Sequence, residues 1–551
     1  MAELTIVFRL RFAVALVLAL ALLLVVSTRD AWGAEYIVQM EEGSTPSQGA
    51  ALVESLGGQV TSPGLDVING FGADLKAEAA ERLEASADVY AVSQNAGMAG
   101  HPTEGNGHGE GDEDEGDEDD EGDEDDDESG GFRCPATDAT TTPAPPLEYT
   151  GRRLRRPYRW PSAQPYHHSM QVDDAWRYAT GRRVGVAVID TGIAGDLPDF
   201  LAPGSRRRSR VVASAVTNPC ASDANDHFGH GTHVAGLIAG SGRHFGVAPA
   251  AELISVKVAD DDGNTTVLDV IYGIQFAVDH RRRLGIRVIN LSLSSTVAES
   301  YLTDPLDAAV ESAWFSGIVV VAAAGNEGTS PDAVSYAPGN DPYVISAGAV
   351  DDLGTNELSD DVLAPWSSRG LTQDGVHKPE VLAPGTRLVA PLAPGSDFAE
   401  LCPQCIVDGR YFRLSGTSMA AALVSGAAAL IVDEHPNWSP DRVKGAMLST
   451  LQDVPGAGGE LDVAAALRGS GTANLGLTPN PLVSPVTGLI DWTRASFRRA
   501  SFRNAEGTPL EAEWTRASFR CDCPRTSGGA VDPTRSSFRA AGFQRTTDFA
   551  E

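Results

Sequence analysis

Four side chains in this sequence have the types needed to break an acyl bond by nucleophilic attack: a hydroxyl, an imidazole, a carboxylate and an amide donor. Ser418 follows Gly416-Thr417 and opens a stretch, Met419 to Val432, that carries no charge. Fourteen such residues are too few to cross a bilayer and fit a helix buried inside a globular domain. Ser418 then falls in the first helical turn, where unpaired backbone N–H groups and the positive end of the dipole favour a developing anion. His230 opens a second such corner in Gly229-His-Gly-Thr-His-Val-Ala-Gly236, Asp190 ends the apolar run Val184–Ile189, and Asn326 follows the run Ile318–Ala322. Taken singly, Ser418 reads equally well as an N-cap, Asp190 as a turn residue, His230 as a cap and Asn326 as a loop amide. Taken together they supply a nucleophile, its base, an orienting acid and a donor for an oxyanion.

The elements that must position them are legible from periodicity. From about residue 158 to 470 short, near-continuous apolar runs alternate with helical patterns: Val184–Ile189, Leu253–Val258, Ile286–Ile289, Ile318–Ala322 and Tyr343–Ser346. Runs of this kind suit parallel strands covered on both faces, so the fold class is α/β. A helix with apolar positions at Val267, Ile271, Ile274 and Val278 lies between the second and third runs, with a cap expected near Asn264. In open sheets of this class, sites form outside the carboxyl ends of the strands. Asp190, Asn290-Leu-Ser-Leu-Ser294 and Gly325-Asn326 all follow such ends.

Asp190-Thr-Gly, His230-Gly-Thr-His-Val-Ala-Gly, Ala324-Gly-Asn326-Glu-Gly and Gly416-Thr-Ser418-Met-Ala, in that order, resemble the signatures of the subtilisin-like serine proteases (the subtilase, or peptidase S8, family). Lys378-Pro-Glu-Val-Leu-Ala-Pro-Gly385 and Trp366-Ser-Ser-Arg-Gly370 match as well, and the likeness spans roughly residues 176–466. Chain order separates it from chymotrypsin-like enzymes, and Ala420 stands where the α/β-hydrolase Gly-x-Ser-x-Gly needs its last glycine. The resemblance implies a subtilisin-like catalytic domain over 158–470, a parallel sheet with helices on both faces. It implies a serine endopeptidase with Asp190, His230 and Ser418 catalytic and Asn326 in the oxyanion hole. Protein or peptide substrate would lie as an extended strand beside Ser292, Leu293 and Ser294, with Ala323, Ala324 and Gly325 as the other wall. No cofactor is required by this chemistry; calcium is possible without an identifiable site, since Gly240–Gly246 is too short for the family's calcium loop. Ala422 and Leu423 replace the usual Pro-His, and Ser294 and Ser295 replace glycines, which leaves pocket width and preference open. Glu327 at the rim could favour a basic residue, His233 is structural rather than catalytic, and His227 is exposed.

The rest of the chain reads as follows. Residues 1–33 have a signal peptide's basic start, apolar run and small-residue cleavage site, so a secreted, extracellular protein is expected; an uncleaved anchor is the alternative. Residues 35–95 form a small α+β, ferredoxin-like unit with a marginal core of its own. It is similar to the family's inhibitory propeptide, which would make the chain a zymogen and its propeptide an intramolecular inhibitor. Residues 96–157 are an acidic linker, with the maturation cut somewhere within it and a basic Arg152–Arg156 stretch near its end. Positions 104–128 hold 17 of the 75 acidic residues, so about half of the net charge of −33 sits on one solvated spacer. The negative balance argues against a nucleic-acid partner. An approximate EF-hand spacing within the spacer (Asp117, Asp119, Glu121, Gly122, Glu128) lacks flanking amphipathic helices. Residues 471–551 repeat Ser-Phe-Arg four times, a tail suited either to an anionic polymer or cell wall or to no autonomous fold. Six cysteines permit disulfides, and Cys402-Pro-Gln-Cys405 favours one within or near its loop. Two other functions stay open: a binding or adhesion protein on a protease scaffold, and an esterase or lipase.

Overall fold

The structure, a computed structural model, describes residues 34–95 and 164–483, apart from 41–43, 63, 64, 66, 67, 203, 204, 206 and 457. It also describes the backbone of short strands at 98–99, 142–143, 517–522 and 537–543. The expected signal peptide, the EF-hand-like spacing, the Arg152–Arg156 stretch and the first two Ser-Phe-Arg copies lie outside the described residues. Two compact units are distinguished, Met1–Asn95 and Ala96–Glu551.

The first unit has β1 (Ala34–Met40), α1 (Pro46–Ser55), β2 (Gln59–Val60), β3 (Gly70–Leu75), α2 (Ala77–Glu84) and β4 (Val89–Gln94). Its antiparallel sheet runs β2-β3-β1-β4. Thr45 caps α1 through a reciprocal box with Gln48, satisfying two donors that the first turn leaves open. Gly49 lets α1 lie close to the sheet, because a Cβ there would meet the Met40 Sδ at 2.4 Å and the Phe71 ring at 2.6 Å. Val38, Met40, Val53, Phe71, Leu75 and Leu83 form its small core.

The second unit is built on parallel strands: β5 (Gly185–Asp190), β6 (Val211–Val216), β7 (Glu252–Lys257), β8 (Ile286–Leu291), β9 (Val319–Ala323), β10 (Ile345–Asp351) and β11 (Val381–Pro384). They are ordered β11-β10-β9-β8-β5-β7-β6. From β5 the chain first fills one side of the sheet, then returns to start the other with β8. The crevice beyond the carboxyl ends of β5 and β8 is therefore the topological switch point.

Helices α3 (His230–Ala239), α4 (Val267–Leu284), α5 (Pro305–Phe315) and α6 (Thr417–Glu434) cover this sheet. Neighbouring residues of β5 show that both faces are used. A Cβ on Gly273 of α4 would touch Ile189, while one on Gly231 of α3 would touch the Cβ of Asp190. Successive strand residues point to opposite faces, so α3 and α4 lie on opposite sides. Every residue of α6 from Thr417 to Val432 is buried, and its alanines and glycine explain how the sheet, α3 and the strand β12 (Tyr411–Ser415) approach it together.

Several sequence expectations need correction. The cap of α4 is Thr266, whose hydroxyl and backbone N–H are answered by Asp269; Asn264 instead donates to Asp260. The run beginning at Tyr343 enters the sheet late, because Asp341 accepts the N–H groups of Tyr343 and Val344 in a turn, and pairing starts at Ile345. Short strands at Met98–Ala99 and Thr142–Pro143 fall within the expected linker, and two of the Ser-Phe-Arg copies lie in strands Ala517–Asp522 and Ser537–Phe543. Cys402 and Cys405 are joined by a disulfide, as their spacing suggests, and Cys220 is disulfide-bonded too.

Candidate active site

Asp190 is the last residue of β5, and its side chain turns to the α3 face. His230 is the first residue of α3. Its Nδ1 lies 2.8 Å from Asp190 Oδ1 and 3.0 Å from Oδ2, while Thr191 N donates to Oδ1 at 2.7 Å. Nδ1 must carry the hydrogen in that pair, which leaves Nε2 of a neutral ring as the acceptor. Both side chains are almost completely buried. Burial pulls the imidazole pKa down, but the charge and hydrogen bond of Asp190, helped by Asp226, more than offset it and raise His230 above its ordinary value.

Ser418 reaches the same crevice from the other side. Ile189 pairs with Leu291, so Asp190, the last residue of β5, and Ser292, the first after β8, follow adjacent paired residues. Ser292 Oγ accepts from Asn290 Nδ2 at 2.9 Å and donates to Ser418 O at 3.0 Å. Ser425, two turns along α6, donates to Asn290 Oδ1 at 2.8 Å. The start of α6 is thus pinned to the end of β8. The Ser418 hydroxyl itself donates to Ser292 O at 3.3 Å rather than to His230.

Asn326 is fixed through its oxygen. Thr417 N and Thr417 Oγ1 both donate to Asn326 Oδ1 at 3.0 Å, and Gly325 N donates to Thr417 Oγ1 at 3.1 Å. Two donors can only face the carbonyl end of the amide, so Nδ2 is turned to the opposite side.

The expected walls of the cleft are placed unevenly. Ser294 and Ser295 form a two-residue strand that pairs antiparallel with Ala99 and Met98. Ser295 is also tied to Ala337, whose O accepts from Ser295 N at 2.7 Å. Leu293 is buried beside them. Ala323 is the last residue of β9, opposite Ala347, and Ala324 N donates to Ala347 O. Gly325 O accepts from Ser368 N at 2.9 Å. Of the second wall, then, the main chain is largely engaged within the fold.

His233 is fully buried with Nε2 on Phe412 O, and burial followed by the charge of His230 pushes its pKa down to about 3. It packs as a neutral ring. His227, expected to be exposed, is half-buried and pairs with Asp223. Glu327 is half-buried, and its N–H donates to Ser368 Oγ. Ala422 and Leu423 are fully buried in α6.

Sequence reading missed Asp226, Thr191, Thr417 and Phe398. Thr191 and Thr417 each adjoin a recognised residue, and Asp226 precedes the histidine by one helical turn's worth of chain. Phe398 carries no sequence signal; it comes from the short helix Asp397–Leu401, just before the Cys402–Cys405 disulfide, and its ring stands nearly perpendicular to that of His230 with centroids 6.4 Å apart. Among the described residues no group of three or more His, Cys, Asp or Glu is arranged to hold a metal ion.

Comparison with known proteins gives the same outline. The profile of the Subtilase family matches residues 181–469, more than half of the chain. The serine protease AprX of Bacillus subtilis (strain 168) is 38% identical over 288 residues, which cover 50% of this chain and 63% of AprX. A subtilisin of Bacillus pumilus is 37% identical over 276 residues, 49% of this chain and 84% of that protein. Fervidolysin of Fervidobacterium pennivorans, described as a keratinolytic enzyme related to subtilisin, shares the fold with a TM-score of 0.53. The match has 23% identity and covers 80% of this chain and 61% of fervidolysin. The chain thus spans less than two-thirds of the length of AprX and of fervidolysin.

Proposed function

The chain belongs to the subtilase family, and from that premise we propose that it is a secreted serine endopeptidase made as a self-processing zymogen. The observation that carries the proposal is the Asp190–His230 pair at the end of β5, set beside a serine that is pinned to the end of the neighbouring strand. In this reading the Ser418 hydroxyl leaves Ser292 O and donates to His230 Nε2 when substrate binds, since catalytic hydrogen bonds often form only in the complex. The hydroxyl attacks the peptide carbonyl as His230 takes its proton. Asp190 keeps the ring in the useful tautomer and stabilises its charged form. Asn326 Nδ2 and the Ser418 N–H receive the oxyanion. His230 then passes the proton to the leaving amine, and water repeats the sequence on the acyl-enzyme. Side chains and main-chain amides carry every step.

Substrate adds as a strand along Ser292–Ser294. The pairing of Met98–Ala99 with Ser294–Ser295 supports the zymogen reading, because the chain's own segment after residue 95 uses that edge. Residues 35–95 act as the intramolecular inhibitor, and the maturation cut falls within a few residues after Ala99. The test is expression of wild type beside Ser418→Ala. Wild type should hydrolyse protein, react with a fluorophosphonate and acquire a new N-terminus near residue 100. Ser418→Ala should do none of these. Hydrolysis of esters alone by wild type, or no labelling of folded, propeptide-free protein, would refute the proposal.

A further inference from the structure

We propose that Asp226 is the positioning residue of the imidazole: its buried carboxylate caps the helix that begins at His230 and, through Thr191, binds that helix to the loop carrying Asp190. The role rests on His230 being the base described above.

A helix start leaves backbone N–H groups without intrahelical partners, and Gly229, just before α3, has no side chain to offer them. Asp226 replaces the missing cap. Its Oδ1 accepts from Gly229 N at 2.7 Å and its Oδ2 from Thr232 N at 2.8 Å. Gly231 N, between them, donates to Thr191 Oγ1 at 2.9 Å, and that hydroxyl donates to Asp226 Oδ1 at 2.8 Å. Thr191 follows Asp190 directly and donates its own N–H to the Asp190 carboxylate. The bonds close a ring that runs from Asp190 through Thr191 and Asp226 to α3, and back through His230. Lys257 steadies the segment before Asp226 by donating to Asn225 O at 2.7 Å. In each of its own bonds, from Gly229 N, Thr232 N and Thr191 Oγ1, Asp226 is the acceptor, so these bonds favour its ionised form against the burial that raises its pKa.

That charge has a second consequence. The groups facing His230 are Asp190 at the end of β5, Asp226 on the preceding loop, neutral His233 one turn along α3, and the uncharged edge of Phe398. Both anions favour the imidazolium. Replacing Asp226 by an isosteric amide removes one of them, so the base should be freed at lower pH. Simple loosening of the fold would leave that pH unchanged.

The experiment measures kcat/KM of the full-length product, matured with added wild-type enzyme, from pH 5 to 10, beside its thermal midpoint. Asp226→Asn should lower kcat/KM about tenfold, through loss of aligned charge-assisted bonds, and move the acid limb to lower pH. Thr191→Val should lose activity with the limb in place, since it cuts the bridge and keeps the charge, while Thr191→Ser should behave as wild type. An unshifted acid limb in Asp226→Asn, or full activity in Thr191→Val, would overturn the assignment. Residual hydrolysis by Ser418→Ala would instead refute the peptidase reading itself.

Discussion

At the scale of single residues, the site works by fixing one end of a group so that the other end points the right way. Asn326 is the clearest case: two bonds from Thr417 hold its oxygen, and the orientation of the donor follows. Thr417→Val keeps the shape and the N–H bond but removes the hydroxyl, which serves both Asn326 Oδ1 and Gly325 N. A neutral hydrogen bond of this kind contributes about 1 kcal/mol, or roughly five- to tenfold in rate. The oxyanion exists only after attack, so the loss should fall on kcat and leave KM nearly unchanged. A rise in KM at constant kcat would show that Thr417 serves substrate binding instead.

At the scale of elements, α6 is the part that admits least change, because it touches the sheet and α3 at once. Gly426 is its narrowest point. A Cβ there would stand 2.6 Å from the Cβ of Val247 and 3.2 Å from Ile238 O, and the second neighbour is backbone that cannot swing aside. Gly426→Ala should therefore destabilise by about 1–3 kcal/mol despite the better helix propensity of alanine, and lower the thermal midpoint by several degrees. An unchanged or raised midpoint would mean that α3 and α6 can separate freely. This helix was legible in the sequence because fourteen uncharged residues admit few other readings. The buried strands were legible for the same reason, since Val184–Ile189 and Ile318–Ala322 are apolar throughout. What stayed hidden were polar residues whose partners are remote in the chain. Asp226 looks like any loop acid until Thr191 is beside it, and the cap expected near Asn264 falls on Thr266 because Asp269 answers that residue. Tyr343 and Val344 read as strand by composition, yet the carboxylate of Asp341 bends them into a turn.

At the scale of the whole catalytic unit, distant segments are tied together by a group of buried acids. Asp304 caps α5, and Asp307 and Glu311 follow on the same helix. Glu311 accepts twice from Asn480 N, at 3.0 and 2.8 Å, and so holds the segment after the last helices. Asp341 lies on the turn before β10. Lys378 and Lys444 both donate to Glu380, which their charges keep below the usual carboxylate range against its burial. The two lysines cannot also neutralise four further carboxyls. Burial raises Asp304 to about 7 and Asp341 to about 6. Burial and then the charge of Asp304 push Asp307 well up, and burial followed by the charge of Asp341 does the same for Glu311. Groups raised in this way make the folded state bind protons that the unfolded chain releases near pH 4. Their contribution is complete below that pH and is lost as pH rises through about 6 to 7 and beyond. The unit should accordingly lose stability from neutral to alkaline pH, where a charged cluster would push α5 from the turn before β10. Asp307→Asn removes one charge without changing shape, so its thermal midpoint should exceed that of wild type at pH 9. Below about pH 4, where the carboxyl is neutral in the folded and the unfolded chain alike, the two should agree. Melting both proteins across pH 3–9, with Ser418→Ala in each to prevent self-digestion, measures the difference. Parallel curves over the whole range would show that Asp307 ionises in the folded chain as it does in the unfolded one, and that the alkaline limit of this fold is set elsewhere.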